Sequence, residues 1–282
     1  MVNQPNRHQE TLAQAIFRRK SIRSYTGQPL AAEHLAMLKG IARSAPRLTD
    51  TPVRFAFIED PKQVDHVFVG ILGSYGKIKN APALLVGIAG PGDRMEESLG
   101  FTMEYMVLEA TRHNIGTCWV SGMFRRRNVA EIVPLHEGEK VLAVSPLGYP
   151  AGAGGGGLLK SLAGSARRKD VFDIVFAERW QGDAHPMLEA RPDLLRAVEA
   201  VRWAPSAMNR QPWRLILTDA AAVLTSVSKS SGLDNGIAMA HWAIAAHEEG
   251  LPGTWDVNPN RADWQPRLHL PDGVTLVGVY PL

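Results

Sequence analysis

The chain has 282 residues, 45% hydrophobic and 21% charged, a balance that gives a core large enough to fold without disulfide or metal staples. Its single cysteine, Cys118, excludes an intrachain disulfide framework and a multi-cysteine metal site, and fits a reducing compartment. The net charge is only +3, and the basic residues stand in short bunches, which suits a phosphate or small anion better than a nucleic-acid track.

Residues 1–10 are polar with no apolar h-region, and runs such as 81–89 are too short to span a bilayer, so the expectation is a cytoplasmic protein. Leu12, Ala15, Ile16 and Arg19 have helical spacing, which predicts a helix ending in the first basic bunch and broken by Gly27 and Pro29. Leu35, Leu38, Ile41 and Ala42 predict a second amphipathic helix closed by Pro46. Residues 55–59 and 83–89 read as buried strands, 96–113 as a long helix stopped by Gly116, and 141–145 as a further strand before Pro146. The glycine-rich stretch 151–157 reads as a joint. Beyond it, 191–193 opens a helix with Leu194, Leu195, Val198 and Val201 inward. Residues 215–218 and 274–280 read as strands, and 237–249 as a helix.

The second half echoes the first. Ala45-Pro46 through Pro52-Val53-Arg54 returns as Ala204-Pro205 through Pro212-Trp213-Arg214, Gly100 to Met103 returns as Gly236 to Met239, and Val141 to Val144 returns as Val274 to Val277. The expectation is an α+β fold of two duplicated α/β half-units packed as an internal pseudo-dimer. The expected boundaries are 1–150 for the first half, 151–170 for the joint and basic arm, and 171–282 for a shorter second half. Gly152, Gly154 and Gly157 satisfy a G-x-G-x-x-G pattern, but Pro146 and Pro150 part them from the strand, so a dinucleotide-binding turn is not expected there.

Several clusters carry chemistry. Arg19, Lys20, Ser21 and Arg23 offer charged forks, an ammonium and a hydroxyl within five residues, a cradle for a phosphate and a polyol chain. Pro205, Ser206, Asn209 and Gln211 lie between a helix end and a strand, and the last three are neutral donor-acceptors suited to a heterocycle edge. Arg167, Arg168 and Lys169 add phosphate donors. The loop through Ser121, Gly122 and Met123 has small residues that let backbone N–H groups approach a ligand. No catalytic triad, carboxylate pair or histidine ligand spacing is present in the sequence, so no catalytic residue and no metal are assigned. Cys118 reads as a packed hydrophobe, Trp119, Trp213 and Trp255 as core or interface anchors, and Phe124 and Tyr75 as residues that could face a substrate.

Taken in order, the Arg18 to Arg23 segment, the Gly116 to Gly122 segment, the Arg167 to Lys169 arm and the Ala204 to Trp213 motif resemble the nitroreductase family of FMN-dependent oxidoreductases, over nearly the whole chain. Ordinary members are homodimers with FMN at each of two subunit interfaces; this chain is similar to the subgroup in which two half-length units are fused. The resemblance implies phosphate and ribityl contacts at Arg19, Lys20, Ser21 and Arg23, and further phosphate contacts at Arg167, Arg168 and Lys169. It also implies ring-edge and ribityl contacts at Ser206, Asn209 and Gln211, and a backbone N–H within Ser121, Gly122 and Met123 pointing at flavin N5. The first half keeps the basic segment but has Arg47, Asp50 and Thr51 where the second keeps the Ser-Asn-Gln motif. The second half has no basic cluster of the same kind in 172–183. Both losses fall on one of the two sites, so one FMN per chain is expected.

The implied activity is ping-pong hydride transfer from NADH or NADPH through FMN to a small acceptor such as a nitroaromatic or quinone, by a monomer acting as a pseudo-dimer. The alternatives are a flavin carrier or sensor without turnover, and a dehalogenase or flavin-fragmenting enzyme on the same fold. No nucleic-acid or membrane partner is expected.

Overall fold

The computed structural model describes residues 10–69, 78–152, 168–251 and 253–282. The chain opens with α1 (Leu12–Arg18), started by a reciprocal Thr11–Gln14 capping box, and α2 (Ala32–Ser44). The first half then alternates β1 (Val53–Ile58), α3 (Pro61–Phe68), β2 (Ala83–Ala89), α4 (Met95–Arg112), β3 (Gly116–Thr117), α5 (Arg126–Ile132) and β4 (Lys140–Gly148). The second half contains α6 (Val171–Ile174), β5 (Val175–Ala177), α7 (His185–Ala190), α8 (Pro192–Arg202), β6 (Trp213–Leu217), β7 (Ala221–Ser226), α9 (Gly232–Glu248), α10 (Arg261–Arg267) and β8 (Thr275–Pro281).

Two four-stranded sheets result, in orders β1-β2-β4-β3 and β5-β6-β7-β8. The ladders β1–β2, β2–β4, β6–β7 and β7–β8 are antiparallel, and each sheet has a register shift between its second and third major strands, at Gly87/Ile88 and at Leu224/Thr225. The repeated order strand, strand, long helix, strand is the architecture of a duplicated unit. One strand breaks the symmetry: β5 runs parallel to β6, pairing Val175 with Leu215. Among the described residues no strand covers the matching outer edge of β1; a groove of about 520 Å³ lies there, lined by Lys39, Arg43, Arg47, Phe55 and Phe57 among others.

The halves are joined by α4 and α9, which are buried on nearly every side. A Cβ on Gly100 would lie 2.3 Å from the Leu233 carbonyl oxygen, and one on Gly236 would lie 2.1 Å from that of Glu97. Each glycine therefore meets the residue three positions before the other, the reciprocal contact of a pseudo-two-fold axis. Only a residue without a side chain lets the two backbones approach this closely. α1 also crosses over: Ala13, Ala15 and Ile16 join the core built by α8, α9 and the inner face of the second sheet. Among the described residues no helix is long and apolar enough to cross a membrane.

The long elements match the sequence reading to within a few residues, with four differences. β4 continues through Pro146 to Gly148. Val144 donates to Val120 on the β3 side, so position 146 faces that side too, where β3 pairs only Leu147 and Gly148, and proline's missing N–H costs no ladder bond. α9 begins at Gly232, ahead of the expected 237. Leu195 is 36% exposed while Leu194, Val198 and Val201 are buried, because the helix turns it away from the core face. The strand β7 and the short helices α3, α5, α6, α7 and α10 carried no expectation. The expected joint at 151–170 lies mostly outside the described residues, as do Arg167, Tyr75, Gly154 and Gly157.

Candidate functional site

Three of the sequence clusters meet where α1 of the first half abuts the second. Arg19 follows the last turn of α1 and is 6% exposed. Its guanidinium lies 3.9 Å from the Glu104 carboxylate on α4, and its Nε has no hydrogen-bond partner. Burial holds its pKa below the usual arginine value, against the pull of Glu104. From the second half, Arg168 donates through Nη1 to the carbonyls of Arg202 (2.9 Å) and Ala204 (2.7 Å), and its guanidinium stands over the Trp203 ring at 5.4 Å. Its Nε is also buried without a partner. Burial first, and then the charge of Arg19, lower its pKa to about 10. Phe17 meets the Trp203 edge at 6.1 Å, so the end of α1 and the basic arm share one aromatic wall.

The segment after Arg19 is extended. Ser21 bridges to Thr117, Ile22 N–H donates to the Thr117 carbonyl, and Lys79 N–H donates to the Arg23 carbonyl. Lys20 is exposed, while Ser21 and Arg23 are half-buried beside Cys118. Burial raises the Cys118 thiol, and the charges of Arg23 and Arg19 and the Ser21 hydroxyl pull it back; a thiol held protonated and covered is unreactive.

Gln211 is fully buried and ties the other two clusters together. Its Oε1 accepts from Lys169 N–H at 2.8 Å, its Nε2 donates to the Arg202 carbonyl at 3.1 Å, and its N–H donates to Ser206 Oγ at 2.9 Å. Its side chain is thus spent on joining the basic arm to the 202–211 loop, so the structure gives it a positioning task. Ser206 receives that bond and caps the turn with its carbonyl; Pro205 and Asn209 are half-buried in the same loop. Met208, Asn209 and Gln211 have φ of 53°, 55° and 46°, left-handed values that cost free energy outside glycine.

Ser121, Gly122 and Met123 follow β3 in the first half. Arg126 pins the turn by donating to the Ser121 carbonyl at 2.7 Å and to the Val141 carbonyl at 3.1 Å, and Gly122 is exposed with open space where a Cβ would stand. Phe124 is 5% exposed in the first-half core under the Arg126 guanidinium, which places its ring among packing residues. Trp213 is completely buried and Trp255 nearly so, while Trp119 donates to Glu104.

Sequence reasoning missed the centre of the interface. Glu104 is completely buried; its carboxylate accepts from Trp119 Nε1 at 2.6 Å and contacts His241 Nε2 at 2.9 Å, and His241 Nδ1 contacts the Ala200 carbonyl at 2.7 Å. One acid thereby links α4, α8, α9 and Arg19. The available signal was an acidic residue inside a largely apolar run. Asp234 was also missed; it holds the 206–211 loop from the first turn of α9.

Residues 11–246 match the family described as Putative TM nitroreductase. The chain belongs to that family. A structure of a putative nitroreductase from Thermotoga maritima, 19% identical, superposes on 100% of this chain and 97% of its own at a TM-score of 0.63, which shows the shared nitroreductase fold. Weaker likenesses include a putative NADH oxidase from Clostridium acetobutylicum, 26% identical over 49% of this chain and 89% of its own at a TM-score of 0.43. A nitroreductase with bound FMN from Bacteroides fragilis is 19% identical over 50% of this chain and 88% of its own at 0.42. No curated protein matches significantly. In this family member, Arg19 is buried and Arg168 half-buried, and the two cations, from opposite halves, both feel the Glu104 carboxylate.

Proposed function

We propose that this chain is an FMN-dependent NAD(P)H oxidoreductase that binds one FMN between its halves and works as a monomeric, cytoplasmic pseudo-dimer. The observation that carries the reading is the meeting of Arg19 and Arg168. Each has a buried Nε without a hydrogen-bond partner, and their mutual repulsion is only part-neutralised by Glu104. Such donors are costly unless an anion completes them, and a phosphate does so with charge-assisted hydrogen bonds. The donor set therefore fits the FMN phosphate.

Arg19, Arg168, Lys169 and Ser21 would hold the phosphate end, with Arg167, Lys20 and Arg23 contributing to the same basic rim. Ser206 and Asn209, from the opposite half, would face the ring edge and ribityl chain, with Gln211 and Pro205 fixing their loop. The turn at Ser121, Gly122 and Met123 would offer a backbone N–H to the ring. FMN, when bound, supplies two-electron hydride chemistry between NADH or NADPH and a small acceptor such as a nitroaromatic or a quinone. The chain's own part is binding, orientation and stabilisation of negative charge, for which no side-chain general base is required.

An absorbance spectrum of the purified chain, with flavin quantified against protein before and after anaerobic NADPH, tests this reading. One FMN per chain that bleaches supports it. A colourless chain that also fails to take up added FMN overturns it, and bound flavin that neither NADH nor NADPH reduces moves the assignment to a carrier.

A further inference from the structure

Residues 206–211 hold an unfavourable backbone, and the structure shows what holds it. The Ala207 N–H lies 3.1 Å from one Asp234 carboxylate oxygen and 3.2 Å from the other, so a single donor is shared by both. Ala207 leads directly into Met208 and Asn209, the two consecutive left-handed residues. Asp234 sits in the first turn of α9, whose start is braced by Ser231 Oγ against Ser226 Oγ at 2.9 Å and the Ser228 carbonyl at 3.0 Å. The carboxylate thus reaches from a rigid helix end to a strained loop.

The other half supplies a comparison. Ser98 precedes Gly100 by two residues, as Asp234 precedes Gly236. Ser98 Oγ lies 2.7 Å from Thr49 Oγ1, Thr51 N–H donates to the same Thr49 oxygen at 3.1 Å, and Thr51 Oγ1 donates to the Asp93 carbonyl at 2.5 Å. That loop is tied by neutral hydroxyls, and none of residues 47–51 has a positive φ. Strain and a carboxylate tie occur together in the loop that keeps Ser206, Asn209 and Gln211, and both are missing from the loop that lost them.

We infer that Asp234 is a positioning residue that latches the 206–211 loop in its strained conformation, so that Ser206 and Asn209 are presented to the flavin edge; this rests on the FMN reading above. An ionised carboxylate accepts a backbone N–H more strongly than a protonated one. The groups facing Asp234 are Arg210 on the loop and Glu96 on α4, and Glu97, paired with Arg94, lies against Gly232 one turn edge away. Burial first, with Glu96 adding and Ala207 and Arg210 opposing, raises the Asp234 pKa to about 6. The latch is therefore half charged near pH 6, charged well above it, and weakens as pH falls through that value. Global stability follows the opposite sign: a carboxylate with a raised folded-state pKa favours the folded protein at low pH, and loses that contribution as pH rises through about 6. Loop order and overall stability thus move in opposite directions with pH.

The test compares the full-length wild type with Asp234→Asn, which keeps the shape but not the charge, and Ala207→Pro, which removes the donor and leaves Asp234 intact. Amide hydrogen exchange of residues 206–211, corrected for intrinsic rates, is measured without flavin at pH 5 and pH 7.5, and FMN affinity is measured by fluorescence titration at both. The expected result is wild-type loop protection and FMN affinity each about tenfold higher at pH 7.5 than at pH 5, and a D234N profile that is flat and low at both. In A207P, FMN affinity at pH 7.5 should fall to the D234N level, and the double variant should be no worse than either, since both remove the same bond. Unchanged loop exchange and unchanged FMN affinity in D234N overturn the latch while leaving the FMN reading in place. A wild type that binds no FMN but shows the pH-dependent loop protection overturns the FMN reading and leaves the latch standing. If D234N does not fold, A207P alone decides: wild-type affinity in that variant overturns the latch.

Discussion

A carboxylate with no solvent exposure is stable only if its neighbours replace the water it has lost. Glu104 has Trp119, His241 and Arg19 around it, and Arg19 in turn has Glu104 as its nearby counter-charge. Truncating Glu104 strands a buried guanidinium, so Glu104→Ala should cost about 3–5 kcal/mol in urea unfolding; a loss below about 1 kcal/mol would show that the network is not a structural support. Arg19 and Arg168 predict a different effect. If they hold the phosphate, Arg168→Ala should weaken FMN binding by at least about tenfold while leaving riboflavin, which lacks the phosphate, near its wild-type affinity. Equal losses for both flavins would place Arg168 among packing residues only. Arg19, Arg168 and Ser206 were legible in the sequence as charge and hydroxyl clusters. Glu104 and Asp234 were not, because a lone acid carries no local pattern, and its partners come from helices distant in the chain.

At the scale of elements, the decisive packing is α4 against α9. Gly100 and Gly236 meet backbone oxygens, which cannot swing aside as a side chain would. Gly236→Ala should therefore lower stability by about 1–3 kcal/mol or more, read as a fall in Tm and a shortened lifetime of bound flavin. Gly122→Ala is the control: open space surrounds its Cβ position, so Tm should hold. A Gly236→Ala protein as stable as wild type would mean that the helices separate at little cost. Periodicity revealed these long helices and the core strands β1, β2, β6 and β8, since their apolar spacing is set locally. It passed over β7, whose Ala221–Ser226 sequence has only Val223 and Leu224 as large apolar residues between alanines and hydroxyls, in a strand that is nonetheless buried throughout. There, membership is conferred by the flanking strands β6 and β8.

For the whole molecule, the asymmetry between halves has a direct readout. Arg19 comes from one half and Arg168 with Ser206 from the other, so flavin titration of the purified chain should saturate at one FMN per monomer. A ratio near two would require a second site at the Arg47–Thr51 loop, where the side chains of Arg47, Thr49 and Thr51 are committed to Val53, Ser98 and Asp93. The strand β5 shows the same asymmetry in the backbone: the chain leaving the first half adds an edge to the second sheet, and the outer edge of β1 has no such partner among the described residues.

By itself the sequence determined the duplication, the α+β class, the family resemblance and the placement of basic and neutral polar clusters, because these are properties of residue type and spacing along the chain. The tertiary structure decided which clusters meet. It brought Arg19, Arg168 and the 205–211 loop to one seam, pinned the turn of Ser121, Gly122 and Met123 with Arg126, gave Gln211 to the backbone, and buried Glu104 and His241 at the crossing of α4 and α9. Those outcomes depend on the close approach of two helices more than a hundred residues apart, which burial, backbone contact and charge pairing fix together.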